Sequence, residues 1–403
     1  MDKNSQNVSF KETIISSFKT NIRQYTMIIA LVSIWLIFTF LTEFLFLTPR
    51  NLSNLFLQTA TTIILAIGMV LVIVTGNIDL SVGSVVGFTG AVSALLMIKF
   101  NMPVVPAIIL TLILGLAIGA WHGFWIAYRK VPAFIVTLAS QLAFRGAIIG
   151  LTGGQTQGLE MAPPASEAVF KVIGQSYLPK INPDLPFHDT TLYLAIFTII
   201  IYIIIEIRNR FSRIKYGLSV LPMNLQFFKI IGVSIVIAAL FGILISYLGF
   251  PFPVLIAIIL AIIMSFVANN TSFGRHLYAI GGNAEAAKLS GININFKIFL
   301  LFVVMGFLNS VAGIVYTARL NAATLGAGQN MEMDAIASAV IGGTSLLGGE
   351  GSIFGAVIGS LVMMSIDNGM SIMNLDITYQ YVVKGLVLLL AVWVDMATRN
   401  RSS

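Results

Sequence analysis

The sequence is poor in charge and contains no cysteine. Of its 403 residues, 23 are Lys or Arg and 16 are Asp or Glu, which together make 10% of the chain, whereas a soluble chain carries roughly 25%. Apolar residues make up 57% and the mean hydropathy is +0.94. Because so few charges cannot cover that much apolar surface in water, a soluble, disordered, fibrous or nucleic-acid-binding protein is excluded. The composition predicts a polytopic membrane protein.

Missing residue types also exclude several chemistries. Without cysteine there is no disulfide framework, no thiolate metal site and no thiol nucleophile. The three histidines, His122, His188 and His276, lack ligand-like spacing, so we expect neither a metal site nor catalytic residues. The chain also lacks the phosphate-loop motif G-x-x-x-x-G-K-[ST]. If ATP drives this protein, another chain must bind it.

Apolar runs divide the chain into twelve elements. A membrane span needs about 20 apolar residues. Long runs lie at residues 25–47, 104–126, 134–151, 191–207, 228–247, 299–318, 353–373 and 379–394. Shorter or interrupted runs, some of them candidates for half-helices, lie at residues 57–75, 82–98, 254–268 and 334–347. The sequence therefore predicts an all-α polytopic membrane protein with about 10–12 transmembrane helices, including short or broken ones.

The loop charges predict the orientation of a single membrane domain, residues 25–396. Twelve alternating elements put the basic loops and both tails, 1–24 and 397–403, on one side, which should be the cytoplasm. These loops account for the net charge of +7 without nucleic acid. The first apolar run is too long for a secretory signal. The loop 152–190 falls on the extracytoplasmic side, either as a passive connection or as part of a docking rim for an external partner.

Glycine and polar residues mark packing and two interruptions. Small-xxx-small spacing lets membrane helices approach closely, and it predicts a packing role for six glycines. They are Gly83, Gly87, Gly115, Gly119, Gly351 and Gly355. The polar interruptions at 75–81 and 343–350 are followed by the similar motifs Gly-Ser-Val-Val-Gly and Gly-Ser-Ile-Phe-Gly. Such pairs point to a transport path, although so short a match also arises by chance.

Four ionisable residues lie inside or beside apolar runs: Asp79, Arg145, Asp367 and Lys384. A charge at the bilayer centre costs on the order of 3 kcal/mol, so these groups should face protein or water. We expect Arg145 and Lys384 either to snorkel or to pair with a carboxylate. Asp79 and Asp367 either line a polar path, cap a helix or lie at the interface. Because no run carries a chain of acids, proton or sodium coupling has no support in the sequence.

A short helix is predicted inside the cytoplasmic segment 269–297. Asn283 is a good N-cap, Glu285 and Lys288 suit the helix dipole, and Gly291 can end the helix. A helix of about two turns is too short to be stable alone in water, so it should be held by packing. It is either an ordinary loop helix or the place where a cytoplasmic partner pushes.

These residues resemble a known family. The stretch 274–292, Gly-Arg-His-Leu-Tyr-Ala-Ile-Gly-Gly-Asn-Ala-Glu-Ala-Ala-Lys-Leu-Ser-Gly-Ile, resembles the cytoplasmic coupling loop of ABC importer permeases for monosaccharides, the ribose, xylose and galactose group. Similar motifs of that family lie at residues 78–84, 131–139, 340–349, 367–371 and 381–385. The last two look most like those of the xylose importers. The resemblance runs from about 51 to 399 and is weakest at 152–190 and 208–229, so nothing functional transfers there.

The resemblance implies a division of labour. Two permease copies would form the path through the lipid, a cytoplasmic ATPase chain would use ATP–Mg, and an extracytoplasmic sugar-binding protein would deliver D-xylose or a related pentose or hexose. This chain would hold no cofactor and would lie in the bacterial cytoplasmic (inner) membrane. The ATPase-coupling residues would be Asn283, Ala284, Glu285, Ala286, Ala287, Lys288, Leu289, Ser290 and Gly291.

A neutral sugar needs a wet, polar path without a counter-charge. Together with the two acids above, the polar residues of the interruptions and of the 367–371 motif are candidates for lining it. The candidates are Asn77, Asp79, Ser81, Thr344, Ser345, Asp367 and Asn368.

Two other classes of protein compete with the importer permease. An ion-coupled secondary sugar carrier would transport without any ATPase. The other class is a membrane scaffold or enzyme subunit. An enzyme is disfavoured because the sequence contains no nucleophile–base or metal cluster.

Overall fold

The computed structural model describes residues 22–218 and 220–399, and this part of the chain is built almost wholly of helices. There are fifteen. They are α1 (Ile22–Leu41), α2 (Pro49–Val74), α3 (Val82–Phe100), α4 (Val104–Gly123), α5 (Ala133–Thr152), α6 (Pro164–Gln175), α7 (Asp189–Lys215), α8 (Met223–Ile245), α9 (Phe252–Asn270), α10 (Ser272–Gly282), α11 (Ala284–Leu289), α12 (Ile294–Leu320), α13 (Met331–Ile341), α14 (Ile353–Ile372) and α15 (Ile377–Arg399).

The number of membrane-crossing elements agrees with the sequence. Within the described ranges, nine helices are long and apolar enough to span a bilayer, and Thr26–Leu41 and Ile377–Trp393 are shorter apolar stretches. The predicted all-α polytopic class is confirmed. Helix α1 begins three residues before the predicted run, and α15 extends past 396 to Arg399. The remainder of the two predicted tails, 1–21 and 400–403, lies outside the described residues, and the orientation of the termini stays a prediction.

The described residues form two compact units. One comprises residues 22–29 and 177–250 and contains the hairpin of α7 and α8. Its ends are tied where the Phe250 amide donates to Thr191 Oγ1 at 2.9 Å and the Leu178 amide donates to the Phe250 carbonyl at 2.9 Å. The other comprises residues 30–176 and 251–399. The single membrane domain over 25–396 stays a prediction.

Helix α2 is the centre of the larger unit. It packs against α9, α12, α13 and α14, and nearly all of its residues from Thr59 to Val74 are buried. The sequence shows only a shorter run at 57–75, because four of the five residues at 50–54 are polar and fall outside the apolar pattern. Inside the protein two threonine hydroxyls find partners, since Thr59 donates to the Leu55 carbonyl at 2.6 Å and Thr62 to Met364 Sδ at 3.2 Å. Thr61 Oγ1 has no partner among the described residues. The helix is therefore a full span of 26 residues.

Helix α13 is the clearest half-helix. It has 11 residues, which rise about 16 Å, half the thickness of a hydrocarbon core. It stops at Gly342, where an added Cβ would lie 2.4 Å from the Gly355 backbone, so α14 crosses directly against its end. The next residue, Gly343, has a φ of +88°, a conformation that favours glycine. The interrupted run predicted at 334–347 is thus a short helix followed by a loop.

The predicted loop 152–190 is partly ordered by short elements. Strand β1 (Gln157–Gly158) pairs antiparallel with β2 (Ala322–Ala323), in the register Gln157 to Ala323. Helix α6 lies against α12, because an added Cβ at Gly174 would be 2.1 Å from the Arg319 amide. The side-chain amide Nδ2 of Asn321 also donates to Glu167 Oε1 at 3.1 Å. These contacts hold α6 on the end of α12.

Candidate functional site

Helix α11 is capped at both ends as the sequence predicts. Asn283 Oδ1 accepts a hydrogen bond from the Ala286 amide at 2.9 Å. At the other end the Gly291 amide donates to Lys288 O at 3.0 Å, and Gly291 has a φ of +82°. Capping at each end compensates for a helix of only six residues, which would not persist alone in water.

Helix α11 presents one large apolar side chain to the outside. Leu289 is 89% exposed, whereas Ala287 is 4% exposed and anchors the helix. The other residues predicted for coupling are all exposed: Asn283, Ala284, Glu285, Ala286, Lys288, Ser290 and Gly291. An exposed leucine on a small, capped helix is a plausible anchor for a protein partner, because interfaces are centred on apolar side chains that become buried. We call α10 and α11 together the foot.

The foot packs on Val74, the last residue of α2 before the first interruption, and on the second interruption. An added Cβ at Gly281, in α10, would lie 1.7 Å from the Val74 carbonyl oxygen and 2.7 Å from the Gly349 amide. The Tyr278 hydroxyl donates to the Gly351 carbonyl at 2.9 Å. Burial raises the pKa of the Tyr278 phenol, so this donor keeps its proton. Movement of the foot would therefore displace the end of α2 and the second interruption.

The first interruption, residues 75–81, is held by its own side chains. Asp79 is fully buried, and its Oδ1 accepts from the Ser81 amide at 2.8 Å and from the Ser81 hydroxyl at 2.6 Å. Asn77 donates to Thr75 Oγ1 at 2.9 Å. Asp79 Oδ2 has no hydrogen-bond partner among the described residues. Asp79 thus bonds Ser81, the residue directly before α3, and its path role stays a prediction.

The second interruption, residues 343–350, adjoins the first. The Gly349 amide donates to the Val74 carbonyl at 2.8 Å, which closes the end of α2 onto this loop. Thr344 and Ser345 are buried, and Thr344 Oγ1 has no partner among the residues described. The structure therefore places both interruptions at one end of α2. The first contains Asn77, Asp79 and Ser81, and the second contains Thr344 and Ser345.

The other two predicted path residues lie elsewhere. Asp367 is 14 residues along α14 from Ile353, about 21 Å of helix rise. Lys384 Nζ pairs with Asp367 Oδ2 at 2.6 Å and with Asp334 Oδ1 at 3.0 Å, so Lys384 takes the predicted carboxylate pairing. Asn368 exchanges hydrogen bonds with Asn51 at 2.8 and 3.0 Å. These contacts join α14 to α15, α13 and α2.

The six predicted packing glycines all lie at close approaches. An added Cβ would come within 3 Å of a neighbouring atom at each of them. The neighbours belong to α12 or to the segments that flank α13 and α14 or end α2. They are the backbone oxygens of Gly328 for Gly83, Ala327 for Gly87, Gly306 for Gly115, Phe302 for Gly119 and Gly342 for Gly355, and a methyl of Val74 for Gly351. The packing role itself stays a prediction.

Sequence reasoning missed a second buried carboxylate, Glu332. Its Oε1 accepts from Gln141 Nε2 at 2.9 Å, and it is only 3% exposed. Arg145, four residues after Gln141, donates to the Ala327 carbonyl at 2.6 Å and interacts electrostatically with Glu332. Helix α5 thus holds the segment before α13. The acidic pair Glu332 and Asp334 at the edge of an apolar run was the available signal.

Irregular backbone at membrane depth is tolerated where it is buried in protein or lines a water-filled cavity. The broken helices described above are typical of transporters. Together with at least nine spans in the described residues, they define the chain as a multi-pass helical membrane transport protein. The comparison with protein families agrees. The model of the family described as branched-chain amino acid transport system / permease component matches residues 51–392. The chain belongs to this family.

Individual relatives cover nearly the whole chain. It is 45% identical over 381 residues to the xylose transport system permease protein XylH of Haemophilus influenzae, covering 94% of this chain and 98% of that protein. It is also 45% identical to XylH of Escherichia coli K12, over 95% and 94% of the two chains. Identity to the E. coli K12 ribose import permease protein RbsC is 34%, over 87% of each chain. No solved structure matches.

Proposed function

We propose that this chain is the permease subunit of an ATP-driven importer that moves D-xylose, or a related pentose or hexose, across the bacterial cytoplasmic membrane. The names of its relatives, xylose and ribose permeases, support this class of cargo. In the proposed complex two copies build the path, an extracytoplasmic binding protein delivers the sugar, and a cytoplasmic ATPase uses ATP–Mg. The permease itself binds no cofactor and is not an enzyme.

The observation that carries the proposal is the contact of the foot with the end of α2, directly before the first interruption, and with the second interruption. Leu289 is free to enter a cleft of an ATPase. Gly281 has no side chain, so α10 touches the backbone of Val74 and Gly349 directly. Backbone atoms that already touch cannot be pressed closer together, because protein interiors are close-packed. A push on α11 is thereby passed to residues 75–81 and 343–350.

In this mechanism the path opens by displacement of the two interruptions. Asn77, Ser81, Thr344 and Ser345 supply hydroxyl and amide groups that can replace the water around a neutral sugar. Asp79 holds the first interruption through Ser81. Asp367 and Asn368, at the far end of α14, are proposed to line the path at another depth. No counter-charge is needed, since the cargo is neutral.

The deciding experiment is uptake of radiolabelled sugar by vesicles. The permease is reconstituted alone, with its ATPase, and with ATPase and binding protein, and a series of pentoses and hexoses is compared. We expect uptake only with all three proteins and ATP, with xylose among the best substrates. Uptake by the permease alone would refute the importer mechanism. Full activity with sugars outside the pentoses and hexoses would refute the cargo.

An ion-coupled sugar carrier is the second candidate, favoured by one cluster. Lys384 lies between Asp334 and Asp367, and ionisable groups within membrane helices often serve ion pathways. This candidate predicts uptake without ATPase that a protonophore abolishes and that Asp79→Asn or Asp367→Asn impairs. The importer predicts no such uptake, so the vesicles without ATPase separate the two.

A further inference from the structure

The α7–α8 hairpin carries a groove that nothing in the proposed transport cycle uses. The groove has a volume of about 970 Å³. Apolar side chains line it, among them Ile203 and Ile207 of α7 and Phe227 and Ile231 of α8. Along α7 it extends from Ile199 to Phe211, about 18 Å of helix rise. That is close to one leaflet of a bilayer, about 15 Å, and far less than a full span.

A polar pocket of about 350 Å³ lies beside the groove. Arg210 and Gln226 line both cavities, so the two share a boundary. Arg213 also lines the polar pocket. An amphipathic ligand could therefore place its polar end among the arginines while its apolar part follows the groove.

The charge of the polar pocket is positive. Its carboxylate, Glu206, is already engaged, because it accepts from Lys229 Nζ at 2.5 Å and from Gln226 Nε2 at 2.9 Å. The Arg210 guanidinium donates from Nη1 to the Leu221 carbonyl at 2.6 Å, which fixes its position and uses one of its five donors. Arg213 also attracts Glu206, but three basic residues against one carboxylate leave the pocket with a net positive charge for a ligand.

We propose that the α7–α8 hairpin binds one anionic glycerophospholipid, with its phosphate on Arg210 and Arg213 and an acyl chain in the groove. Basic pockets between membrane helices bind anionic headgroups by this chemistry, and arginine is suited to phosphate because its donors form a planar fork. The groove is one leaflet long, which fits an acyl chain. A transmembrane helix of a second copy would need about twice that length.

The test measures retention of defined lipids by the purified full-length permease. The permease is titrated with phosphatidylglycerol or with phosphatidylcholine, and native mass spectrometry counts the bound lipids. The two lipids carry the same acyl chains and differ in net charge. We expect phosphatidylglycerol to bind at least about 25-fold more tightly, since each arginine contributes about fivefold. Equal retention of the two lipids would overturn the proposal. Displacement of the lipid by inorganic phosphate at millimolar concentration would also overturn it, because it would show a simple anion site.

Two pairs of variants locate the site. Arg210→Ala with Arg213→Ala should weaken phosphatidylglycerol binding about 25-fold. Arg208→Ala with Lys215→Ala is the control, since it removes the same charge from the same helix outside both cavities. Equal losses in the two double variants would mean nonspecific attraction and would overturn the site.

The groove is tested separately from the charges. Ala238→Trp fills it, whereas Ala239→Trp adds the same bulk one position away, outside the groove. We expect only Ala238→Trp to lower retention of phosphatidylglycerol, with both variants eluting as the parent protein does on size exclusion. If Ala238→Trp instead converts a permease dimer into monomers on size exclusion and leaves the lipid bound, the groove is a protein interface and the proposal is wrong.

Discussion

At the scale of single residues, two adjacent glycines in the foot have opposite surroundings. An added Cβ at Gly281 would meet the Val74 carbonyl oxygen at 1.7 Å, whereas at Gly282 nothing lies within 4 Å. Both are helical, so both gain a similar amount of helix propensity on substitution. The difference between their alanine variants therefore reports the close approach alone.

Gly281→Ala should destabilise the protein and impair transport. Because the new methyl group meets backbone, α10 must move away from Val74, at a cost of about 1–3 kcal/mol. Gly282→Ala is the matched control and should stay within about 0.5 kcal/mol of the parent or gain stability. Thermal unfolding in detergent and sugar uptake with the ATPase measure both. Equal stability of the two variants would contradict the contact.

Leu289→Asp should separate folding from partner binding. Since the side chain is 89% exposed, the change should alter stability by no more than about 0.5 kcal/mol. If Leu289 anchors the ATPase, its loss should weaken the complex by about 2 kcal/mol or roughly 30-fold, as measured by co-purification or by surface binding kinetics.

Met161→Asp is the control for Leu289→Asp, because Met161 is also a well-exposed apolar residue, 60% exposed, but lies in the short turn Leu159–Met161. It should leave ATPase binding unchanged. Identical binding by Leu289→Asp and the parent would remove α11 from the coupling site.

At the scale of elements, buried charges decide how α13, α14 and α15 meet. Lys384 on α15 bonds Asp334 on α13 and Asp367 on α14, at 3.0 and 2.6 Å. All three side chains are less than a quarter exposed. Removing one partner from such a group leaves unpaired charge in a poorly solvated place. Lys384 is the shared partner of both carboxylates, so its charge cannot be deleted alone.

Lys384→Met should lower the free energy of unfolding by about 3–5 kcal/mol, because it strands two carboxylates. Combining it with Asp334→Asn and Asp367→Asn should recover most of that loss. Gln380→Met removes a polar group one turn earlier in α15, whose bond is to the Leu375 carbonyl at 2.9 Å, and should cost only about 1 kcal/mol. Thermal or denaturant unfolding measures all three. Failure of the triple variant to recover would show that the ion pairs are not the cause.

The lengths of the elements were partly predictable. The long apolar runs correspond to spans, because apolar character over about 20 residues is a local property. The run 57–75 is part of a 26-residue helix, since the helix also includes the mostly polar residues 50–54. Conversely, the run 334–347 contains only the last eight residues of an 11-residue helix, because α14 crosses at Gly342. Neither outcome is visible in hydropathy.

At the scale of the whole molecule, the loop charges predict which side each segment faces. Ser290, the residue directly after the foot, should face the cytoplasm, and Met161 should face the opposite side. The absence of native cysteine makes a direct test possible, since any introduced thiol is the only one in the chain.

Single-cysteine variants should reveal this orientation. A membrane-impermeant maleimide applied to intact cells should label Met161→Cys, and it should label Ser290→Cys only after the membrane is opened. Both native side chains are exposed, so reactivity depends on the side of the membrane and not on burial. Labelling of Ser290→Cys in intact cells would reverse the predicted topology and remove α11 from the reach of a cytoplasmic ATPase.

The sequence by itself determined the class of protein, the approximate number of membrane-crossing helices and the capped helix α11. Hydropathy and capping depend on neighbours within a few residues. Only the tertiary structure decided that the foot touches Val74 and Gly349, that Lys384 serves two acids, and that the predicted path residues fall into two groups. Those contacts join residues far apart in the chain, and close packing selects them only when all the helices are in place.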